Sequence, residues 1–385
     1  MQFKDIIAQD QLKAQLTKSV QENRVSHAQL FLGPEGCGNL AMAIAYAQYI
    51  NCENRSETDS CGICPSCTKS EKFIHPDIHF TFPFINADKK EKCADWLPEW
   101  REFLVNIVYG NYNDWIQQIS AENKQGNINA KECMDIIHRL SFKTFEAEYK
   151  ILILWLPEFL EKEGNRLLKI IEEPPDNTIF LFVANDADKI INTILSRLQL
   201  VKFPRLNDYS IAMQIEKNYN LTAQQSKQIA AMSDGNFREA MQLLSFTENE
   251  NTTTLRSWME HVYRRNIKEL FTWNDVFAKW GRENQKNFFH YCIHFFREVL
   301  LLQTGTEELG RLTDNEIKTA EGLSKVLSVE KTIAITNLLD KGIYFVERNA
   351  NAKILIAYLS SEIMYIVHEN NSSFYRKPFF AKWTV

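Results

Sequence analysis

Ala28-Gln29-Leu30-Phe31-Leu32-Gly33-Pro34-Glu35-Gly36-Cys37-Gly38-Asn39-Leu40 is the stretch whose reading decides the fold. Ala28 to Leu32 is a short apolar strand, the glycines make a loop, and Leu40 to Tyr49 reads as an Ala-rich helix. Strand, glycine loop and helix in that order are the context in which backbone N–H groups cradle phosphates. The working loop is G-x-x-x-x-G-K-[ST], with a Lys to neutralise phosphate and a hydroxyl to hold Mg²⁺. Here Gly33, Gly36 and Gly38 keep the turn, while Asn39 replaces the Lys and Leu40 replaces the hydroxyl. The loop has the shape of a nucleotide site without its charge.

Outward from this loop the chain alternates. Gln9 to Glu22 has helical periodicity. Ile151-Leu152-Ile153-Leu154 and Ile179-Phe180-Leu181-Phe182-Val183 are continuous apolar runs, as in strands buried on both faces of a parallel sheet. Gly164 to Ile171 is helical and stops at Pro174-Pro175. Beyond Phe203-Pro204-Arg205-Leu206 the pattern is helical. Short helices are expected over Asp208 to Lys217, Thr222 to Met232 and Asn236 to Ser245, with Thr222 and Asp234 at or near N-caps. A polar stretch, Glu248 to Thr254, precedes longer helices over Asn287 to Gln303, Glu330 to Ala350 and Asn351 to Glu369. Residues 85–127 break the first rhythm with Trp96, Trp100 and Trp115 among charges, and read as a helical insertion packed on its own domain's flank.

At 385 residues the chain is too long for one ordinary core. Its 45% apolar and 24% charged residues are those of a globular protein. No apolar run is long enough to span a bilayer, and Met1-Gln2-Phe3-Lys4-Asp5 lacks the basic-then-apolar order of an export signal. A cytoplasmic protein is expected. The net charge of −5 argues against a chain that wraps DNA unaided.

Four of the eight cysteines, Cys52, Cys61, Cys64 and Cys67, crowd into sixteen residues among polar neighbours. Four thiolates fit a tetrahedral Zn²⁺ and leave no open position, so the site should be structural. An iron–sulfur cluster takes the same ligands. His75 is near, but four Cys suffice.

Several segments together resemble the AAA+ clamp-loader subunits of bacterial DNA polymerase III, most of all the delta-prime kind. Phe3-Lys4-Asp5-Ile6-Ile7-Ala8-Gln9 resembles their opening, with Ala8 where they have Gly. Ser26 to Pro34 resembles their strand and loop entry, and the Cys cluster lies where they carry a zinc module. Asn165 to Lys169 with Glu172-Glu173-Pro174-Pro175 is similar to their N-x-L-L-K…E-E-P-P run. Ile194-Leu195-Ser196-Arg197 matches their S-R-C motif, with Leu198 in place of Cys. Glu347 to Lys353 is similar to a turn in their C-terminal collar.

The resemblance implies an α/β fold: an AAA+ RecA-like parallel-sheet domain with a zinc module over 1–205, a three-helix lid over 206–250 and a helical collar over 251–385. It implies a five-membered ring with gamma/tau-type ATPase subunits and a delta subunit, acting on a sliding clamp and primed DNA. Arg197 would be an arginine finger in the neighbour's nucleotide site. Arg238, in Asp234-Gly235-Asn236-Phe237-Arg238, would be a second sensor, or a packing residue if no nucleotide binds, and Asn185 could be the first sensor.

The family's Asp-Glu pair after the strand near Leu154 is replaced by Trp155-Leu156, with Glu158 displaced along the chain. A subunit without its own ATPase is therefore expected. The alternatives are an active gamma/tau-type ATPase and an unrelated zinc-dependent nucleic-acid binder.

Overall fold

The computed structural model describes residues 1–87, 90–119, 125–219, 221–244, 248–305, 312, 314–348 and 350–368. Contacts divide the chain into two units. One comprises Met1–Ser226 with Ser233–Ala240, the other Lys227–Met232 with Met241–Val385.

The first unit is α/β. Its strands are β1 (Ala28–Leu32), β2 (Ile78–Thr81), β3 (Lys150–Trp155), β4 (Thr178–Ala184) and β5 (Gln199–Lys202). They form one parallel sheet in the order β2-β3-β4-β1-β5. β3 and β4 are buried along their whole length, as central strands covered on both faces must be. The two strands that the apolar runs did not reveal, β2 and β5, are the short edges. β5 buries only Val201. Because β1 lies between β4 and β5, the chain order reverses beside it. The carboxyl end of such a strand is where open α/β sheets place their sites.

The helices are α1 (Asp10–Gln21), α2 (Asn39–Ile50), α3 (Pro65–Glu71), α4 (Leu97–Asn106), α5 (Tyr112–Gln118), α6 (Ala130–Ser141), α7 (Leu168–Glu172), α8 (Asn192–Leu195), α9 (Asp208–Asn218), α10 (Ala223–Met232) and α11 (Phe237–Leu243). Every residue of α2 is buried, which its Ala-rich sequence permits. The helix expected over Gly164 to Ile171 starts earlier, as 3₁₀ turns from Pro157 to Leu167 broken at Glu161, where φ is 45°. Thr222 caps α10 by accepting from the Gln225 N–H. At α11 it is Asn236, not Asp234, that caps, accepting from the Glu239 N–H. Ser245 and Glu369, expected helix ends, lie outside the described residues, as does Asn349 of the collar turn.

The insertion is closed at its base by a two-bond antiparallel bridge between Phe84 and Asn127. Its tryptophans supply a local core. Trp100 stacks on Phe82 at 4.1 Å, with Trp115 edge-on to it at 5.1 Å and Trp155 of β3 also at 5.1 Å. Trp155, in the family's Asp-Glu position, is thus a packing residue 3% exposed.

Ala8, where the resembled subunits carry Gly, has φ of +50°. A Cβ in left-handed backbone costs about 1–2 kcal/mol. Glycine would relieve this but loses about 0.4–1 kcal/mol through unfolded-state entropy. Ala8→Gly is therefore expected to stabilise the first unit by about 0.5–1 kcal/mol in denaturant titration. A destabilised variant would contradict the strain.

The second unit, taken by itself, is helical: part of α10, then α12 (Glu248–Tyr263), α13 (Ile267–Phe277), α14 (Arg282–Thr304), α15 (Asp314–Val326), α16 (Val329–Glu347) and α17 (Ala352–His368). The polar stretch Glu248 to Thr254 forms the first turns of α12. Its Thr252 hydroxyl meets the Tyr291 hydroxyl of α14 at 2.9 Å. The core centres on α14, where Phe288, Phe289, Cys292, Phe295, Phe296 and Val299 are fully buried.

Candidate functional site

The glycine loop leaves β1 where the sheet order reverses. Gly36 and Gly38 both have positive φ, 70° and 87°, so the turn does need glycine there. The space in front of the loop is occupied by protein. A Cβ on Gly36 would lie 1.8 Å from Asn236 Oδ1, and one on Gly38 would lie 2.8 Å from the Tyr109 ring. The Phe237 N–H donates to the Gly36 carbonyl at 3.2 Å, and the Phe237 ring meets Tyr109 edge-on at 5.1 Å. The Tyr109 hydroxyl in turn accepts from the Ile7 N–H at 3.0 Å. Glu35 accepts from the Asn111 side chain at 2.9 Å.

Asn39, in the Lys position, is 7% exposed. Its Nδ2 donates to the Ala184 carbonyl at the end of β4 at 3.0 Å, and its Oδ1 accepts from the Leu40 N–H at 2.9 Å. The side chain ties loop to sheet and presents no charge. Leu40 is buried. Burial pushes the neighbouring Cys37 thiol up to about 11, so it stays neutral.

Glu158, the remaining carboxylate near the end of β3, is also spent on structure. Its Oε1 accepts from the Asn185 and Asp186 N–H groups at 2.7 and 2.9 Å, holding the turn after β4. Burial raises its pKa against those two bonds.

Arg238 sits at the start of α11, 4% exposed. Its Nε and Nη2 donate to the two oxygens of Asp114 at 2.6 and 2.7 Å, and Nη1 donates to Glu239 at 2.9 Å. Asp114 belongs to a capping box with Asn111 at the start of α5. The planar fork matches a carboxylate bidentately, so Arg238 joins α11 to the insertion. The sequence placed the insertion on its own domain's flank without saying which residues it meets. Its contacts with the loop, made by Tyr109 and Asn111, carry no local signal in the sequence. Asn111-x-x-Asp114 marks a helix start but not its distant partner.

Arg197 follows α8 near the surface, with its side chain 35% exposed. Its guanidinium pairs with Glu172 and donates to the Thr193 carbonyl at 2.6 Å and the Ser196 hydroxyl at 3.1 Å. Glu172 and Arg197 come from the two motifs read separately in the sequence, and the fold brings them together. An exposed pair of this kind is worth about 0–1 kcal/mol, so the arginine can exchange partners at little cost.

The four cysteines form the second site. Cys52 follows α2, Cys61 and Cys64 flank Gly62 (φ 75°), and Cys67 lies on α3. All four sulfurs lie within 4.8 Å of one another. Cys61 and Cys67 Sγ are 3.9 Å apart. That is far beyond a disulfide bond and close to the roughly 3.8 Å edge of a tetrahedron with Zn–S of about 2.3 Å. The N–H groups of Cys61, Cys64 and Cys67 donate to the sulfurs of Cys52, Cys61 and Cys64 at 3.2, 3.4 and 3.4 Å, a pattern that favours thiolates. The N–H groups of Ile63 and Cys64 bring the Cys61 thiol down to about 6, while burial raises Cys52 and Cys67 in the metal-free chain. The donor set fits zinc.

His75 stands apart from this set, held by the Ser66 hydroxyl and the Asp77 N–H, both at 3.1 Å. The module also anchors the start of the chain, since Asp59 accepts from the Phe3 and Lys4 N–H groups at 2.9 and 3.0 Å.

Residues 8–207 match the family described as DNA polymerase III, delta subunit. The chain belongs to this family of clamp-loader subunits. It is 24% identical over 364 residues to the DNA polymerase III subunit tau of Bacillus subtilis, covering 88% of this chain and 57% of that protein. It is 26% identical over 252 residues to subunit gamma of Buchnera aphidicola, covering 64% and 59%. The chain thus spans little more than half the length of these relatives. A Bacillus subtilis DNA clamp loader delta protein of known structure aligns over 92% of this chain and 99% of its own, at 11% identity and a TM-score of 0.31. No helix among the described residues is long and apolar enough to cross a membrane.

Proposed function

We propose that this chain is a delta-prime type, non-hydrolysing subunit of the bacterial clamp loader, working in the cytoplasm within the DNA polymerase III assembly. It helps load the sliding clamp on primed DNA and supplies Arg197 to the nucleotide site of a neighbouring gamma/tau-type ATPase. Residues 206–250 act as the lid and 251–385 as the collar that holds the subunits, delta among them, in a ring. One Zn²⁺ is held by Cys52, Cys61, Cys64 and Cys67 as a structural ion.

The observation that carries this reading is the state of the glycine loop. Four substitutions remove its charge, its hydroxyl and its carboxylates: Asn39, Leu40, Trp155 and Leu156. Asn236, Phe237 and Tyr109 then fill the space where phosphates would lie. A fixed guanidinium remains at Arg197, on a weak surface pair that a neighbour's phosphate can replace.

A second reading has its own support: the similar proteins carry the names tau and gamma. An active ATPase of that type would need a cation at position 39 and an acid after β3, and it would need the loop open. Asn39 and Trp155 are both buried in structural contacts instead.

The test is to mix the purified chain with gamma/tau-type and delta subunits from the same source and follow the assembly and its ATPase. A stable complex whose clamp- and DNA-stimulated turnover needs this chain supports the reading. Failure to assemble, or turnover that is indifferent to the chain, overturns it.

A further inference from the structure

The fold gathers polar residues from three separate stretches of sequence around Arg197. Its Nε and Nη2 face the carboxylate of Glu172, the last residue of α7. Its Nη1 donates to the Thr193 carbonyl at 2.6 Å and to the Ser196 hydroxyl at 3.1 Å. Thr193 is held in turn, since its hydroxyl donates to Asn165 Oδ1 at 3.2 Å. We infer that Glu172 is a positioning residue that parks Arg197 and competes for it with the phosphates of the neighbouring site. This rests on the role proposed for Arg197 and adds what controls it.

A guanidinium grips a phosphate or a carboxylate with parallel N–H groups along one edge of its fork. The edge is either Nε with Nη2 or Nη1 with Nη2. The first edge lies on Glu172, and Nη1 is committed to Thr193 and Ser196. Neither edge can take a phosphate as the side chain stands, so one set of contacts must break first. The Glu172 edge is the one a phosphate competes for, because both groups are oxyanions that bind the fork in the same way. The neutral acceptors on Thr193 and Ser196 steady the other end. Glu172 is placed by its own helix rather than by Arg197: Pro174-Pro175 stop α7 just beyond it. The two side chains are 46% and 35% exposed. A pair this exposed biases the arginine by a small factor and does not lock it.

The test uses the loader assembled from this chain with gamma/tau-type and delta subunits of the same source. ATP is supplied without clamp or DNA, where nothing else draws the arginine across and the parked fraction is largest. The parent is compared with Glu172→Gln, Arg197→Ala and the double variant. Glutamine keeps the shape and removes the charge at an exposed helix end, and gel filtration checks assembly. Glu172→Gln is expected to raise kcat about two- to fivefold, the population change an exposed pair can supply, with KM for ATP unchanged. In the Arg197→Ala background the same substitution should change nothing, because no finger is left to release. An equal kcat would overturn the parking role, and so would a lower one, since Glu172 would then orient the finger. An acceleration that persists in the double variant would overturn it too. If Arg197→Ala leaves the clamp- and DNA-stimulated rate unchanged, the finger assignment itself fails and this inference falls with it.

Discussion

Arg197→Ala is expected to leave the chain folded and able to assemble, yet to slow the stimulated ATPase of the assembled loader. Among the described residues the guanidinium bonds to Glu172, Thr193 and Ser196. Its loss therefore removes an exposed ion pair worth about 0–1 kcal/mol and two exposed hydrogen bonds. In a neighbour's site the same group would face a transferring phosphoryl group, where arginine fingers contribute roughly 10³–10⁵ in rate. The two environments differ by several kcal/mol, so stability and turnover should respond very differently to one substitution. Steady-state hydrolysis with clamp and primed DNA should fall at the site that receives Arg197, with assembly by gel filtration unchanged. Arg197→Lys should not rescue it, because an ammonium cannot reproduce the planar fork. An unchanged rate would retire the assignment.

Removing the metal is expected to have the largest effect on stability. Structural zinc supplies about 10–16 kcal/mol of apparent folding free energy in small modules. Here part of that is backed by a large core, so a smaller but still major loss is expected. Cys64→Ser or Cys67→Ser should lower the melting temperature of the first unit by more than about 10 °C, the shift expected for a loss of some 4 kcal/mol in a domain of this size. The loss should spread to the start of the chain, because Phe3 and Lys4 are anchored on Asp59 inside the module. Metal analysis of the parent should find one zinc per chain. Iron, or full stability in the variants, would contradict a structural zinc site.

What was legible in the sequence divides along physical lines. β1, β3 and β4 were readable because strands buried on both faces are continuous apolar runs. β2 and β5 were not, since short edge strands have no such run and β5 exposes three of its four residues. The cysteine cluster was readable because its four thiols come from one short segment, so spacing alone points to their meeting. The glycine loop showed what it lacks, but not what fills it. Tyr109, Asn111, Asn236 and Phe237 reach the loop from segments far away in the chain, and no local pattern encodes such contacts. Glu158 was visible as a carboxylate in nearly the right place. Only its bonds to the Asn185 and Asp186 N–H groups show that it holds a turn. Polar composition left Glu248 to Thr254 without an element in the sequence, because the start of α12 carries polar residues.

Nucleotide turnover by the purified chain alone tests the central claim most directly. With Asn39 bound to Ala184, Glu158 bound to the turn after β4, and Tyr109 and Asn236 against the loop, ATP hydrolysis should not rise above the protein-free blank. A Tyr109→Ala variant should not hydrolyse ATP either, since opening the loop restores no lysine and no carboxylate. Steady turnover by the isolated chain, copurifying with it and lost on substitution of the loop glycines, would contradict the account.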